Sequence, residues 1–409
     1  MDKTRFTRGF MQDFGYIERF SHLGFGMFVH FGLYSVIGKG EWYLTSNPNA
    51  DINKYNALIN KFKIKKNWAK DLVATAKNAG CKYITLTTRH HDGFSLYDTK
   101  GLNDFDAPHS AAGRDLIKEF ADECHKAGIV PFFYHTLLDW YNPDYKNDFP
   151  KYIDYLDKSI EILCTSYGKV GGFWFDGMWD KPDADWQEDR IYGTIRKYQP
   201  EAMIINNTGL SACGKTGHKE IDSVTFERGK PAYVDKSEKP IAGEMCQVLN
   251  DHWGYAKEDC NYKSVKELIE NLADCRKFGC NFLLNTGLKG NGDVNCIDYC
   301  LLNEVGKWVK VNKEFIYDVK PCDLTAENAD IVTDGKYYYA IIKDVPMSAD
   351  PNVALGGNVK SVKVNGVIDK AVWLDSGKRI KIKKGDTFAA EPFAYGRSYS
   401  VRVAKFTLK

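Results

Sequence analysis

The chain has 409 residues, 44% of them hydrophobic, with a formal net charge of +2. That length suits two or three domains, or one large barrel with an appendage, and the apolar share is enough for a sizeable core. Near-neutrality excludes a broad electrostatic partner, so neither nucleic acid nor an anionic membrane surface is expected.

Residues 1–6 show no apolar stretch with a small-residue cleavage site, and the apolar-looking run 24–38 is too short for a bilayer span and contains His30. A cytoplasmic protein is the expectation. From about residue 20 onward, short apolar runs alternate with longer amphipathic ones, the rhythm of a parallel sheet with helices outside. The first candidate strand, Met27-Phe28-Val29-His30, ends on an imidazole, and Glu41-Trp42-Tyr43 follows in its loop. A helix predicted over 67–79 places Trp68, Leu72, Ala76 and Ala79 on one face and closes at Gly80. The next strand runs from Ile84 into Thr88-Arg89-His90-His91-Asp92-Gly93. A helix over 114–127 follows, with Leu116, Phe120 and Cys124 on one face. Tyr134-His135 ends a third strand. Gly171-Gly172-Phe173-Trp174-Phe175 is a fourth, which delivers a single carboxylate, Asp176, followed by Gly177. Further strands end near Asn206, Glu244 and Leu284, and Ser264-Val265-Lys266-Glu267 is a capping box opening a helix that ends near Gly279.

Seven candidate strands in this order fit an α/β fold, a (β/α)8-like TIM barrel with one strand degenerate. The competing open sheet would need a Gly-rich phosphate loop after an early strand, and no G-x-G-x-x-G follows any of them. After Tyr317 the rhythm changes to short β-rich runs, 336–342, 359–364, 372–374 and 399–406, separated by turn residues. Asn365-Gly366 and Ser376-Gly377 read as short hairpin turns. The expected organisation is a catalytic barrel over 1–317 and a C-terminal all-β sandwich over 318–409. Eleven cysteines without a CxxC pair point to free thiols, and Cys296 and Cys300 lack the flanking partners of a zinc site.

Strands ending in succession on polar residues mark the carboxyl end of a barrel as a site. Neighbours on a strand face opposite ways, so His90 and His91 cannot share one core. A hydrolytic metal barrel would space its histidines H-x-H. Adjacent imidazoles suit hydrogen bonding to sugar hydroxyls instead, with no metal and no cofactor expected. Glycoside hydrolysis needs two carboxyl groups, and beyond Asp176 the next segment offers Asp222, Glu227 and Glu244. Either glutamate could serve as the acid, since apolar surroundings would raise its pKa.

These pieces resemble the family 29 glycoside hydrolases, the retaining α-L-fucosidases. The resemblance lies in Gly26-Met27-Phe28-Val29-His30-Phe31-Gly32, Glu41-Trp42-Tyr43, Leu86-Thr87-Thr88-Arg89-His90-His91-Asp92-Gly93, Trp174-Phe175-Asp176-Gly177, Asn250-Asp251-His252-Trp253-Gly254-Tyr255 and Asn281-Phe282-Leu283-Leu284-Asn285-Thr286-Gly287. It implies a barrel with a β-sandwich and a double displacement in which Asp176 attacks the fucosyl anomeric carbon. His30, Glu41, Trp42, His90, His91 and Tyr134 would then hold the sugar, with Trp253 as a wall, and the substrate would be a fucosylated oligosaccharide or glycoconjugate. Two positions depart from the family pattern: Phe31 replaces a Trp, and Gly243 replaces the Trp before Glu244. The acid/base role falls to Glu227 first and Glu244 second. A galactoside-cleaving relative and a fucose-binding protein with little turnover remain the alternatives.

Overall fold

Eight short strands, nearly all fully buried, close on themselves as a parallel barrel: β1 (Phe25–His30), β2 (Tyr83–Arg89), β3 (Val130–Thr136), β4 (Gly172–Asp176), β5 (Met203–Asn206), β6 (Ser223–Thr225), β7 (Ala242–Val248) and β8 (Asn281–Gly287). The computed structural model describes residues 14–234, 239–347 and 359–409, so the expectation drawn from residues 1–6 lies outside the described residues. Strands covered on both faces need apolar residues in both registers, which is why runs such as Gly172-Phe173-Trp174-Phe175 in β4 are apolar without alternation. One face of each strand fills the lumen with Phe28, Tyr83, Phe132, Trp174, Met203, Ile205 and Leu283. The short helix Gly15–Ser21 plugs the amino end, where Phe20 packs against Tyr83 and Phe132 at 5.7 and 5.5 Å between ring centroids. Gly26 makes room for this packing, because a Cβ there would sit 2.3 Å from Tyr83 Cζ.

The strand hidden from sequence reading is β6. It has three residues and follows Asp222, a fully buried carboxylate that a scan for apolar runs passes over. Tyr16 OH (2.9 Å), an Arg196 guanidinium nitrogen (2.7 Å), Lys239 Nζ (2.6 Å) and the Ile204 amide (2.7 Å) all engage this carboxylate, so Asp222 is a structural anchor and does not line the cavity at the carboxyl ends of the strands. Two other strand ends move. β7 continues to Val248, which makes Glu244 its third residue and not its end. β8 continues to Gly287 because its polar residues find partners: Asn285 meets His30 across the seam, and Thr286 donates to Asp298 of the last barrel helix.

The outer helices follow their sequence signals. Trp68–Ala79 closes on left-handed Gly80. Leu116–Ala127 begins at Asp115, whose carboxylate accepts the Lys118 amide, and closes on Gly128. Val265–Lys277 opens with Ser264 Oγ accepting the Glu267 amide at 3.1 Å. No described helix is long and apolar enough to cross a membrane.

Beyond the last barrel helix, Cys296–Ile316, two antiparallel sheets form the C-terminal unit. One orders Ala326–Glu327, Lys360–Val364, Thr387–Ala390 and Ile382–Lys383. The other orders Ile368–Trp373, Val401–Leu408, Tyr338–Lys343, Asp330–Thr333 and Lys320–Pro321. Val362, Trp373, Phe388 and Phe406 lie in the core between them, and Trp308 of the last barrel helix donates its indole N–H to the Val401 carbonyl at 3.0 Å. Ser376-Gly377 forms the expected tight turn, with Gly377 at φ +66°. Asn365-Gly366 does not. It connects strands of opposite sheets, since Lys360–Val364 pairs with Thr387–Ala390 while Ile368–Trp373 pairs with Val401–Leu408. The dipeptide preference is local, whereas sheet membership is decided by distant partners.

Candidate active site

At the carboxyl ends of the barrel strands lies a cavity of about 470 Å³. Alternation along single strands sets its floor. Phe28 and His30 share one face of β1, and Trp174 and Asp176 share one face of β4, each pair two residues apart. Gly177 then turns the chain with φ +95°, where a Cβ would meet the Leu138 backbone nitrogen at 2.6 Å.

Asp176 is the most heavily solvated carboxylate by protein donors in the cavity. Its Oδ2 accepts from Tyr134 OH at 2.9 Å and faces His91 Nε2 at 3.5 Å. Its Oδ1 accepts from Trp179 Nε1 and from Asn207 Nδ2, both at 3.2 Å. Glu227, two residues past β6, accepts from the same Asn207 Nδ2 at 2.8 Å. Burial pushes the Glu227 pKa up, and the neighbouring Asp176 charge adds to this; the Asn207 hydrogen bond works in the opposite direction.

The histidines form a buried, uncharged wall. Burial pushes His30 down to about 3, against the hydrogen bond between its Nδ1 and Asn285 Oδ1 at 2.7 Å. Burial likewise holds His90 well below the ordinary imidazole value. Its ring lies nearly parallel to Tyr134, with centroids 5.6 Å apart, and its Nδ1 has no hydrogen-bond partner among the described residues. His91 is lowered by burial despite the opposing Asp176 charge, and its Nδ1 lies 2.7 Å from Thr136 Oγ1. Imidazoles kept neutral offer one donor and one acceptor each, which suits hydroxyl groups better than anions. Aromatic rings complete the enclosure: Trp42 packs against His91, Trp140 and Trp179, and Trp253 against Phe28 and His30.

Of the residues singled out from sequence, His30, Trp42, His90, His91, Tyr134, Asp176, Glu227 and Trp253 line this one cavity. Glu41 and Glu244 do not. Glu41 is buried behind the wall, where its Oε2 accepts the Gly254 amide at 2.7 Å and so braces the loop carrying Trp253; burial raises its pKa. Glu244 pairs with Asn281, the first residue of β8, and therefore lies toward the amino end of the barrel. It is 1% exposed; one oxygen accepts from Tyr83 OH and the other from Trp174 Nε1 at 2.9 Å, and burial pushes its pKa up to about 7. Sequence reading missed Asn207, Trp179 and Leu210, the last of which stands 66% exposed at the rim. The pair Asn206-Asn207 closing an apolar strand was the available signal for the first. The other two sit on loops without a pattern.

A family model described as Alpha-L-fucosidase matches residues 12–314. The alpha-L-fucosidase of Dictyostelium discoideum is 26% identical over 334 residues, covering 73% of this chain and 70% of that protein. Human tissue alpha-L-fucosidase is 27% identical over 335 residues, covering 74% and 69%. Among solved structures, alpha-L-fucosidase isoenzyme 1 from Paenibacillus thiaminolyticus superposes with a TM-score of 0.83 at 29% identity, covering 96% of this chain and 99% of that one. A Bacteroides thetaiotaomicron alpha-L-fucosidase, trapped as a covalent intermediate with 2-fluoro-fucosyl fluoride, shares the fold with a TM-score of 0.80 at 21% identity, covering 97% and 96%.

Proposed function

We propose, from the premise that this chain belongs to the alpha-L-fucosidase family and is therefore a glycoside hydrolase, that it removes terminal α-L-fucosyl residues from glycans with retention of configuration. Asp176 attacks the anomeric carbon as the bond to the aglycone oxygen breaks, and that oxygen takes the proton of Glu227. Water then attacks the fucosyl ester, giving its proton to the Glu227 carboxylate, and Asp176 leaves as a carboxylate. The neutral histidines, Tyr134 and Trp42 bind the sugar hydroxyls and ring. The apolar walls at Phe28, Trp174 and Trp253 suit a 6-deoxy sugar, whose methyl group seeks no hydrogen bond. Glu41 acts behind this surface, through Gly254.

The observation that carries the reading is the amide nitrogen of Asn207, 3.2 Å from Asp176 and 2.8 Å from Glu227. The two bonded oxygens can be no farther apart than the sum of those contacts. So close an approach is compatible with the ~5–5.5 Å of a retaining pair. A covalent intermediate in a relative of the same fold supports the same route.

The test is release of nitrophenol from its α-L-fucoside by wild type and by Asp176→Ala, Glu227→Ala and Glu244→Ala, each with and without azide. Asp176→Ala is expected to yield the β-fucosyl azide, and Glu227→Ala the azide of retained configuration. A retained azide from Glu244→Ala, or a wild type without fucosidase turnover, overturns the reading.

A further inference from the structure

The Asn207 side chain cannot be turned around. Its Oδ1 lies 3.3 Å from the Gly209 backbone N–H, a group that only donates, and 3.2 Å from the Thr225 hydroxyl, which donates to it as well. The amide oxygen is therefore fixed on that side, and Nδ2 faces the two carboxyl groups. An amide nitrogen carries two hydrogens, one for each partner. The backbone is pinned too, because the Asn207 N–H donates to the Phe175 carbonyl at 2.8 Å, on the strand that ends at Asp176. Asn207 is 4% exposed. Through its backbone, its carbonyl and its amine, one residue ties the end of β4, the end of β6 and both carboxyl groups into a single unit.

We propose that Asn207 is a positioning residue for both half-reactions, holding the nucleophile Asp176 and the acid/base Glu227 on a common hydrogen-bond donor. The proposal rests on the roles assigned to those two residues above. During turnover, negative charge passes from one to the other. Before attack it resides on Asp176 while Glu227 is protonated; in the fucosyl-enzyme Asp176 is an ester and Glu227 is a carboxylate. A donor attached to only one of them would favour one half-reaction at the expense of the other. A donor shared by both follows the charge without moving, which is what a preorganised site requires.

The groups facing Glu227 are Asp176 from β4, the Glu41 carboxyl from the loop after β1, Tyr134 from β3, the Cys246 thiol from β7 and the adjacent Arg228. Asn207 is a neutral donor among them, and its bond opposes the upward pull of burial and of Asp176. Removing it raises the Glu227 pKa further. Glu227 must be protonated to act as acid, so its titration forms the alkaline limb of kcat/KM, and that limb moves up.

The experiment measures the pH dependence of nitrophenyl α-L-fucoside hydrolysis for wild type, Asn207→Leu and Thr225→Val. Asn207→Leu keeps the approximate shape and removes both donors. Its alkaline limb is expected to move up by about one unit, and kcat to fall about 10- to 100-fold with little change in KM. Thr225→Val removes only the hydroxyl that orients the amide. It is expected to move the limb in the same direction by less, and it decides the matter if Asn207→Leu does not fold. An unmoved limb with weaker KM makes Asn207 a sugar ligand and overturns the proposal. An unmoved limb with a lowered Tm reduces it to a packing residue and overturns the proposal equally. The azide products of Asp176→Ala and Glu227→Ala separate the two levels. If these form while the limb stays put, only the role of Asn207 falls; if they do not form, the assignment of the carboxyl pair falls first.

Discussion

Replacing Glu244 by Gln separates a buried strut from a proton donor. In the folded protein the Glu244 carboxyl sits at the amino end of the barrel, with its pKa raised by burial from an ordinary 4.5 to about 7. Between those values the unfolded chain ionises while the native state keeps its proton. The native state then binds more protons than the unfolded one, so stability falls as pH rises through this window. The stabilisation is fully present below pH 4.5 and lost by about pH 7, a change of roughly 3 kcal/mol from this one group. Glutamine does not titrate. Its carbonyl accepts from Trp174 Nε1, while its amide N–H faces the Tyr83 oxygen and leaves the Tyr83 O–H without its acceptor, a cost that does not change with pH and so cancels between two pH values. Urea unfolding followed by tryptophan fluorescence at pH 4.5 and pH 7.5 should therefore show Glu244→Gln gaining on wild type by roughly 3 kcal/mol between the two conditions. Glu244→Leu leaves an indole N–H and a phenol without acceptors and should lose about 1–3 kcal/mol for each. Fucosidase turnover of Glu244→Gln should stay within about threefold of wild type, whereas loss of a general acid costs about 10²–10⁴. A loss of that size with stability intact, or parallel pH–stability curves for the two proteins, refutes the reasoning.

Three further outcomes are expected. Tyr134→Phe removes the hydroxyl that donates to Asp176 Oδ2 at 2.9 Å, and kcat should fall about a hundredfold with KM little changed; steady-state kinetics check this. Gly26→Ala drives a Cβ to 2.3 Å from a Tyr83 ring that has no room to retreat, and should lower stability by about 1–3 kcal/mol in a thermal or urea melt. Arg402→Met strips Asp375 of its guanidinium partner at 3.0 Å, in a C-terminal core where that carboxylate is 6% exposed. The cost should be about 3–5 kcal/mol of sheet stability, read by hydrogen exchange in Val401–Leu408, with the barrel's turnover retained.

What the sequence made legible depended on how local each signal is. An unbroken apolar run marks a strand buried on both faces, so the one ending at Asp176 was visible, and so were the helices closed by Gly80 and Gly128. β6 was not, because Asp222 and a three-residue strand are held by partners from distant elements, Tyr16 and Arg196 among them. The site divides along the same line. The polar strand ends His30, Tyr134 and Asp176 could be named, since alternation fixes their direction. Glu227 and Glu244 could not be told apart in sequence, where both are carboxyls downstream of Asp176, and the register of β7 against β8 gives Glu244 its different depth. Asn207 shows its importance through the two carboxyl groups it meets, and neither contact is sequential.

The ring closes where β1 meets β8, and His30 Nδ1 reaches Asn285 Oδ1 across that seam from 255 residues away. A growing chain thus carries seven strands of an open sheet before the eighth can arrive, with its two widest-separated edges exposed to rival pairings. The wall proposed to meet the sugar is itself built across the seam: Asn285 bonds His30 on one side and donates to the Trp253 carbonyl on the other. A pocket assembled only at closure binds its ligand in the finished ring and not in the open precursor. Fucose or a slow inhibitor would then act as a folding chaperone, deepening the closed state in proportion to the logarithm of its concentration and rescuing variants weakened anywhere along the seam.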